Sequence, residues 1–127
     1  MFHYMKTFYI FATMMVERKI LTYKQYFQDF INSIDSKAAL KIFKVLDMLQ
    51  KDLMVSGKFI KKIRDEIFEL RISHNTNTYR VFFIYDNGNL IILFNGFQKK
   101  TQKTPQKEIE KAIAIKKEYY DTVKRGK

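Results

Sequence analysis

Five residues in the second half of the chain could handle a phosphate group. Glu69 and Arg71 are separated by one residue, Arg80 follows later, and Lys99 and Lys100 are adjacent. A guanidinium group can hold two phosphate oxygens, a lysine supplies positive charge, and a carboxylate can accept a proton. This combination of residue types favours a polyanionic ligand and makes all five candidate catalytic residues.

Strand-like sequence surrounds these candidates. Polar and apolar side chains alternate through residues 68–72 and 79–85, so the apolar residues share one face of a sheet and Glu69 and Arg71 share the other. A solvated face of a half-exposed sheet is the alternative explanation for Arg71 and Arg80. The nearby concentration of lysines favours the polyanion instead.

A hairpin is predicted after the second of these strands. The sequence DNGN at residues 86–89 supplies residues that tolerate positive φ, and residues 90–94 form the returning strand. This last strand leads directly into a lysine-rich segment at residues 98–103. His74 falls in the polar stretch between the first two strands, where an exposed histidine is more common than a catalytic one.

The net charge points to nucleic acid. The chain has 24 Lys and Arg against 13 Asp and Glu, a formal charge of +11 and a pI near 9.8. A domain this basic binds phosphate backbones, so nucleic acid is the first partner to consider and an anionic membrane the second. There is no cysteine and there are only two histidines, which makes a zinc enzyme improbable, and we expect neither metal nor cofactor.

A second group of cations lies in residues 58–64, interleaved with Phe59, Ile60 and Ile63. An ordinary loop with these three side chains tucked beneath it is one explanation. If they anchor the segment, its cations point outward together and extend the basic patch. The predicted RNA-binding residues are therefore Lys58, Lys61, Lys62, Arg64 and Lys103.

Length and hydropathy predict one domain over residues 1–127. The hydrophobic fraction of 46% is enough for a core, and no stretch reaches the roughly 18 apolar residues of a membrane-spanning helix. The apolar stretch at residues 8–16 could also be the hydrophobic region of a signal peptide, but no small-residue cleavage site follows it. Because its residues are β-prone, it is predicted to be an N-terminal strand. With the lack of cysteine, this fits a cytoplasmic protein.

Two helices are predicted between this strand and the sheet. Thr22 and Gln25 have the spacing of a capping box for the first helix. Asp35 or Ser36 caps the second, which ends before residue 56. The inward face of the second helix is predicted to comprise Leu40, Phe43, Leu46, Met48, Leu49 and Leu53.

The last helix begins at Thr104 and Pro105, with the threonine as cap and the proline in the first turn. Its apolar stripe is weak and contains Lys116, so we expect it to pack on the rim of the sheet. The predicted class is α+β: an N-terminal strand and two helices packed on a small antiparallel sheet, followed by a C-terminal helix.

Three segments resemble a known family: residues 68–71, residues 79–82, and above all NGFQKKTQKTP at residues 95–105, followed by Glu108, Ile109 and Ala112. They are similar to the RelE/HigB-like toxins of type II toxin–antitoxin systems, in the branch related to a phage-derived host-inhibition protein. The resemblance covers roughly residues 8–120. It implies the RelE-like fold and cleavage of messenger RNA, usually in the ribosomal A site, which inhibits translation.

The resemblance also implies partners and residue roles. A cognate antitoxin, commonly with a helix-turn-helix domain, blocks the site, and operator DNA is bound only through the antitoxin complex. Arg80 matches an arginine that contacts the scissile phosphate in relatives, Lys99 and Lys100 match basic residues after the last strand, and Glu69 and Arg71 match a Glu-x-Arg pattern. Many relatives have a His or Tyr for proton transfer, whereas residues 98–105 contain neither.

RNA cleavage through its own 2′-hydroxyl needs a base, an acid and cations that stabilise the phosphorane. Arg71 and Arg80 are candidate phosphate clamps, with Arg80 the stronger. Glu69 could be the base or could simply pair with Arg71. Crowding by like charge could shift the pKa of one lysine and make it the acid, the candidates being Lys99, Lys100 and Lys103.

Three functions agree with these residues. A metal-independent RNA endonuclease is the first. A nucleic-acid-binding domain without chemistry is the second, and a degenerate toxin homologue that retains only antitoxin binding is the third. The apolar stripe of the last helix and the N-terminal strand could contact an antitoxin or could serve the packing of the domain itself.

Overall fold

The computed structural model describes residues 18–51, 59–88, 90–100 and 103–124. It has three α-helices and a five-stranded sheet, which confirms the predicted α+β class. In chain order the elements are β1 (Lys19–Thr22), α1 (Tyr26–Asn32), α2 (Ser36–Lys51), β2 (Ile60–Arg64), β3 (Ile67–His74), β4 (Asn77–Asp86), β5 (Leu90–Lys99), α3 (Gln106–Tyr119) and a π-helical turn, Tyr120–Lys124.

Strands β2 to β5 form an antiparallel meander, and β1 pairs in parallel with β5, which gives the order β1-β5-β4-β3-β2. Strand β1 starts at Lys19, after the apolar stretch in which the N-terminal strand was predicted. The predicted strand at residues 8–16 lies outside the described residues. The sheet is thus antiparallel over four strands, with one parallel strand added at its edge.

The connections of the meander are short turns. Asn87 and Gly88 have φ of 56° and 74°, as the predicted hairpin requires. Between β3 and β4, Asn75 has a φ of 56°. His74 pairs with Asn77 and therefore ends β3 instead of lying in a loop.

Strand β2 covers Ile60–Arg64, in the segment for which an ordinary loop was one of two explanations. It occupies the outer edge of the sheet, with a register shift between Lys62 and Arg64. Ile60 and Ile63 are three residues apart in the strand, so the alternation of side chains places them against the core on opposite faces of the sheet. Lys61 and its neighbouring cations point into solvent, as the outward-facing arrangement predicted.

Helices α1 and α2 pack on one face of the sheet. Asp35 caps α2 as predicted, because its Oδ2 accepts the backbone N–H groups of Lys37 and Ala38 at 3.1 and 3.4 Å. The prediction that Leu40, Phe43 and Met48 face inward was wrong, since they are 61%, 45% and 45% exposed. The buried face of α2 consists of Ala38, Ala39, Ile42, Val45, Leu46 and Leu49, and Leu53 lies outside the described residues.

Helix α1 begins one residue after the predicted capping box. Thr22 is the last residue of β1, and the N-cap Gln25 makes no side-chain cap hydrogen bond. The threonine is extended in the sheet and therefore does not cap the helix. Phe27, Phe30 and Ile31 form the buried face.

Helix α3 covers the second face of the sheet instead of lying on its rim. Ala112, Ile115 and Tyr119 are buried against strand residues that include Phe82 and Phe94. Lys116, which interrupts the apolar stripe, lies beside the turn between β2 and β3, where its Nζ donates to the carbonyl oxygen of Asp65. Since α3 packs here, polar residues on this face of the sheet are buried beneath it. None of the helices in the described part of the chain is long and apolar enough to cross a membrane.

Gly96 permits the close approach of α1 to the end of β5. A Cβ atom at this position would lie 2.5 Å from Cδ2 of Phe30, which no side chain can occupy without displacement of that ring. Contact between the Phe30 ring and the backbone of Gly96 therefore positions the final residues of β5, which ends at Lys99.

Candidate functional site

The site is built around the carboxylate of Glu69, which is 1% exposed on the α3 side of β3. Its Oε1 lies 3.3 Å from Nε of Arg80 and 3.6 Å from Nε of Arg71. The two arginines are direct partners across β3 and β4. Oε2 accepts a hydrogen bond of 2.8 Å from the Thr104 hydroxyl. One buried carboxylate therefore joins two strands to the segment that precedes α3.

Thr104 was missed as a site residue, because its position before Pro105 made it the predicted helix cap. The structure shows that prediction to be wrong: Pro105 is the N-cap and makes no side-chain cap bond, and the threonine hydroxyl is turned to Glu69. A buried carboxylate without hydrogen bonds costs more than a helix end that water can reach. Sequence position alone gives no signal for this contact.

The two arginines differ in exposure. The Arg80 side chain is 8% exposed, and its Nη1 donates to the Tyr79 carbonyl at 3.1 Å. Burial lowers the pKa of Arg80, against the charge of Glu69, which raises it. The Arg71 side chain is 36% exposed. Arg71 is thus the outer cation of the pair, and Arg80 is the inner one.

A cleft of about 300 Å³ opens beside Arg71, and we call it the lysine cleft. It is lined by Lys61, Lys62, Ile63, Arg71, Lys99, Lys103, Thr104 and Ile109. Partial burial lowers the pKa of Lys99, and the positive charges of Arg80, Arg71 and Lys61 lower it further, while Glu69 opposes them. Lys99 therefore loses its proton more readily than an ordinary lysine does.

A second cleft, of about 410 Å³, lies near the start of β2, and we call it the aromatic cleft. It is lined by Lys41, Val45, Phe59, Arg71, Ile72, Ser73 and Arg80. Arg71 lines both clefts. A ligand held at Arg71 can therefore extend into either one.

Most of the chain matches a known protein family. Residues 29–117 match the model of a family described as phage-derived protein Gp49-like. The chain belongs to this Gp49-like family. The membership confirms the resemblance to the phage-derived branch of RelE/HigB-like toxins that the sequence predicted.

No curated protein matches the Gp49-like chain. Among solved structures, it is similar to the toxin–antitoxin complex RelBE2 from Mycobacterium tuberculosis, with 11% sequence identity and a TM-score of 0.47. The similarity covers 67% of the Gp49-like chain and 94% of the chain in that structure.

Most of the predicted site residues of the Gp49-like protein lie close together. Arg71 and Arg80 lie against the Glu69 carboxylate. Arg71 and Lys99 line the lysine cleft, together with the predicted RNA-binding residues Lys61, Lys62 and Lys103. The Nζ of Lys62 also forms an ion pair of 2.9 Å with Glu66.

Two predicted residues lie away from the lysine cleft. Lys100 borders a separate depression beside Phe97 and Pro105. Arg64 is exposed and has its Nε 3.7 Å from the Asp65 carboxylate. Lys58 lies outside the described residues.

Proposed function

We propose that this Gp49-like protein is the toxin of a type II toxin–antitoxin pair and acts as a metal-independent messenger RNA endonuclease that inhibits translation. The observation that supports this proposal is the convergence of Arg71, Lys61, Lys99 and Lys103 on one cleft, above a buried carboxylate that fixes the arginines. A solvated sheet face would not bury the carboxylate or lower the pKa of Lys99. The site suits a phosphodiester backbone.

Arg71 is the residue that would hold the scissile phosphate. It is the more exposed arginine, and its guanidinium can bind two phosphate oxygens as negative charge develops on the phosphorane. Arg80 adds its charge from the inner position. Glu69 is too deeply buried to reach a substrate. The hydrogen bond that it accepts from Thr104 and its ion pairs with the two arginines make it a positioning residue in place of a base.

Lysines would transfer the protons. Neutral Lys99 takes the proton of the 2′-hydroxyl, the 2′-oxygen attacks phosphorus, and the bond from phosphorus to the 5′-oxygen breaks. The ammonium group of Lys103 protonates that oxygen. The products are a 2′,3′-cyclic phosphate and a 5′-hydroxyl, which balances the reaction without a metal or cofactor. The lowered pKa of Lys99 supports its role as base.

The partners follow from the same site. We propose that the substrate is messenger RNA on the ribosome in the cytoplasm, and that a helix-turn-helix antitoxin blocks the cleft. A cleft this basic needs a carboxylate-rich segment to cover it, which a small antitoxin can supply. Operator DNA would be contacted only through the toxin–antitoxin complex.

The test is induction of the wild type and of Arg71→Ala and Lys99→Ala variants in a bacterial host, followed by mapping of messenger RNA 5′ ends within minutes. Lys19→Ala is the matched control, because Lys19 is exposed on β1 at the opposite edge of the sheet. We expect new 5′ ends and growth arrest with the wild type and the control, and neither with the two site variants.

Two results would contradict the proposal. If the wild type accumulates without arrest and without new ends, the endonuclease function is wrong, and a binding-only or degenerate homologue is favoured. If Lys19→Ala is as impaired as Arg71→Ala, net charge and not the site explains the effect. Addition of ribosomes to purified protein and messenger RNA then shows whether cleavage depends on them.

Antitoxin binding is tested separately by co-expression with the neighbouring open reading frame. We expect co-purification with a small DNA-binding protein and loss of the growth arrest. Failure to recover such a protein would count against the partner while leaving the endonuclease proposal intact.

A further inference from the structure

Helix α2 presents three large apolar side chains to solvent. Leu40, Phe43 and Met48 are three of the four exposed large apolar residues in the described part of the chain. The Phe43 ring also packs edge-on against Phe27, with the ring centroids 6.2 Å apart, while much of its surface stays exposed. Apolar residues scattered singly over a surface are normal, but a group on one helix indicates a binding surface.

Lysines run along the same side of α2. They recur at intervals of four, three and seven residues and so form one stripe, which consists of Lys37, Lys41, Lys44 and Lys51. Leu40 lies one helical turn from two of these lysines, and so does Met48. Of the four lysines, only Lys51 forms an ion pair with a carboxylate of the described residues, Asp47 at 3.3 Å. We call this combined apolar and basic surface the outer face of α2.

The composition of the outer face of α2 indicates the chemistry of its partner. A second copy of this chain would place lysines against lysines, which is repulsive. A phosphate backbone would satisfy the lysines, but it offers no apolar surface to cover Leu40 and Met48. A protein segment that carries apolar side chains between carboxylates complements both features. Because the pattern has helical spacing, a helix with the same spacing matches it.

The outer face of α2 also adjoins the proposed site. Lys41 belongs to the lysine stripe and lines the aromatic cleft together with Arg71. We propose that an acidic amphipathic helix of the antitoxin docks on the outer face of α2, from which the antitoxin chain can continue to Arg71. The inference rests on the proposed toxin–antitoxin function and names the surface that the antitoxin binds.

The experiment measures the affinity of purified variants for the protein encoded by the neighbouring open reading frame. Leu40→Ser with Met48→Ser removes exposed apolar surface and keeps every lysine. Lys37→Glu with Lys44→Glu reverses two charges and keeps every apolar residue. Together the two double variants separate the apolar contribution from the electrostatic one.

The matched control is Lys111→Glu with Lys117→Glu. These are exposed lysines of α3, which packs on the other face of the sheet, so the control makes the same change in net charge at a distance from α2. All variants are made in the Lys99→Ala background, which we expect to lack toxicity and to be as stable as the wild type. This parent protein sets the reference affinity.

We expect each α2 double variant to raise the dissociation constant on the order of tenfold, the effect of losing one interface hot spot. The lysine double variant should also lower the association rate and weaken its dependence on salt. The control should bind as the parent does. Since all the substituted positions are exposed, urea unfolding should change little in any variant.

Different failures are distinguishable. If the parent does not bind the neighbouring protein, the proposed toxin–antitoxin pair is wrong, and the docking surface falls with it. If the parent and both α2 double variants bind equally well, the pair stands and only the docking surface is wrong. If the α3 control is as impaired as the lysine double variant, net charge explains the effect and contradicts the proposal.

Two other occupants would also overturn the proposal. If charge reversal weakens binding while Leu40→Ser with Met48→Ser does not, the lysine stripe acts without the apolar residues, as it would for a nucleic acid. If the parent floats with vesicles that contain phosphatidylserine and both α2 double variants do not, the outer face of α2 binds a membrane surface instead.

Discussion

Two carboxylates are buried beneath α3, and they have different partners. Glu69 lies near the start of the helix and is surrounded by Arg71, Arg80 and the Thr104 hydroxyl. Asp86 is 5% exposed and lies near the end of the helix, where its Oδ2 accepts a hydrogen bond of 2.6 Å from Tyr119.

The surroundings of the two carboxylates differ as much as their partners. The Tyr119 ring packs edge-on against Tyr23, with centroids 5.3 Å apart, and contacts Phe94 and Tyr120. The Asp86 region is thus closed by aromatic rings. At Glu69, by contrast, the neighbouring Arg71 lines two open clefts. The difference indicates that Asp86 serves stability, whereas Glu69 holds cations in place for a ligand.

The largest effect is expected from Arg80→Ala. Removal of one partner from a buried ion pair leaves the other charge unpaired, which costs about 3–5 kcal/mol, and we expect the lower end because Arg71 and Thr104 remain. RNA cleavage should be lost as well. Urea unfolding measures the first effect and 5′-end mapping the second.

A double variant sharpens this result. Glu69→Gln in the Arg80→Ala background removes the unpaired charge, so it should recover part of the lost free energy of unfolding but no cleavage. If Arg80→Ala alone loses less than about 1 kcal/mol, Glu69 is not held by that arginine.

The next effect is expected from Lys99→Ala, with a loss of roughly 10²- to 10⁴-fold in cleavage rate, the usual contribution of general base catalysis. Because the base must be neutral, the wild-type rate should rise with pH, and this rise should lie below the ordinary lysine pKa of 10.5. The variant should lack it. A wild-type rate that falls with pH over the same interval would make Lys99 the acid.

The stability of the same variant distinguishes catalysis from structure. Since the pKa of Lys99 is lowered on folding, the unfolded chain binds more protons between the folded and ordinary values, and wild-type stability rises with pH through that interval. Protonated Lys99 therefore destabilises the fold at neutral pH. Lys99→Ala should unfold at the same urea concentration as the wild type or a higher one.

Tyr119→Phe tests the closed end. It leaves Asp86 without the tyrosine hydroxyl, at a cost of about 2 kcal/mol, and should not change cleavage. Burial and the bond to Asp86 raise the pKa of Tyr119, so its stabilisation is complete below the ordinary tyrosine pKa of about 10 and is lost as the pH rises above it. Urea unfolding between pH 8 and 11 checks this. A cleavage defect in a folded variant would show that the two ends are coupled.

The smallest effect is expected from Thr104→Val, which removes one hydrogen bond to Glu69 at nearly constant shape. We expect a loss of about 1 kcal/mol and a few-fold slower cleavage. Thr122→Val, at an exposed position in the π-helical turn, is the control. If the two variants have the same stability and the same cleavage rate, Thr104 does not contribute to the site.

Alternation predicted the central sheet well. Residues 68–72 and 79–85 form β3 and β4, and the separation of Glu69 from its apolar neighbours follows from the two-residue period alone. What alternation cannot show is whether a helix covers the second face. The burial of Glu69 and Arg80 depends on α3, whose weak stripe predicted a peripheral position.

Two other errors have local causes. The largest apolar residues of α2 predict the wrong buried face, because the sheet packs against the smaller Ala38 and Val45 and leaves Leu40 in solvent. The apolar residues of β2, Ile60 and Ile63, contact opposite faces of the sheet, so its sequence lacks the alternation of a strand with one buried face. The contact of Thr104 with Glu69 joins residues far apart in the chain and has no local signature.

The strand order also determines when the site can form during synthesis. Strands β2 to β5 pair with their immediate neighbours in the chain, whereas β1 must wait for β5, the last strand to be made. Local pairings form faster than distant ones. Since Thr104 contacts Glu69, a nascent chain has no complete site until that residue has been synthesised. We therefore expect activity to appear only after Thr104 has emerged from the ribosome.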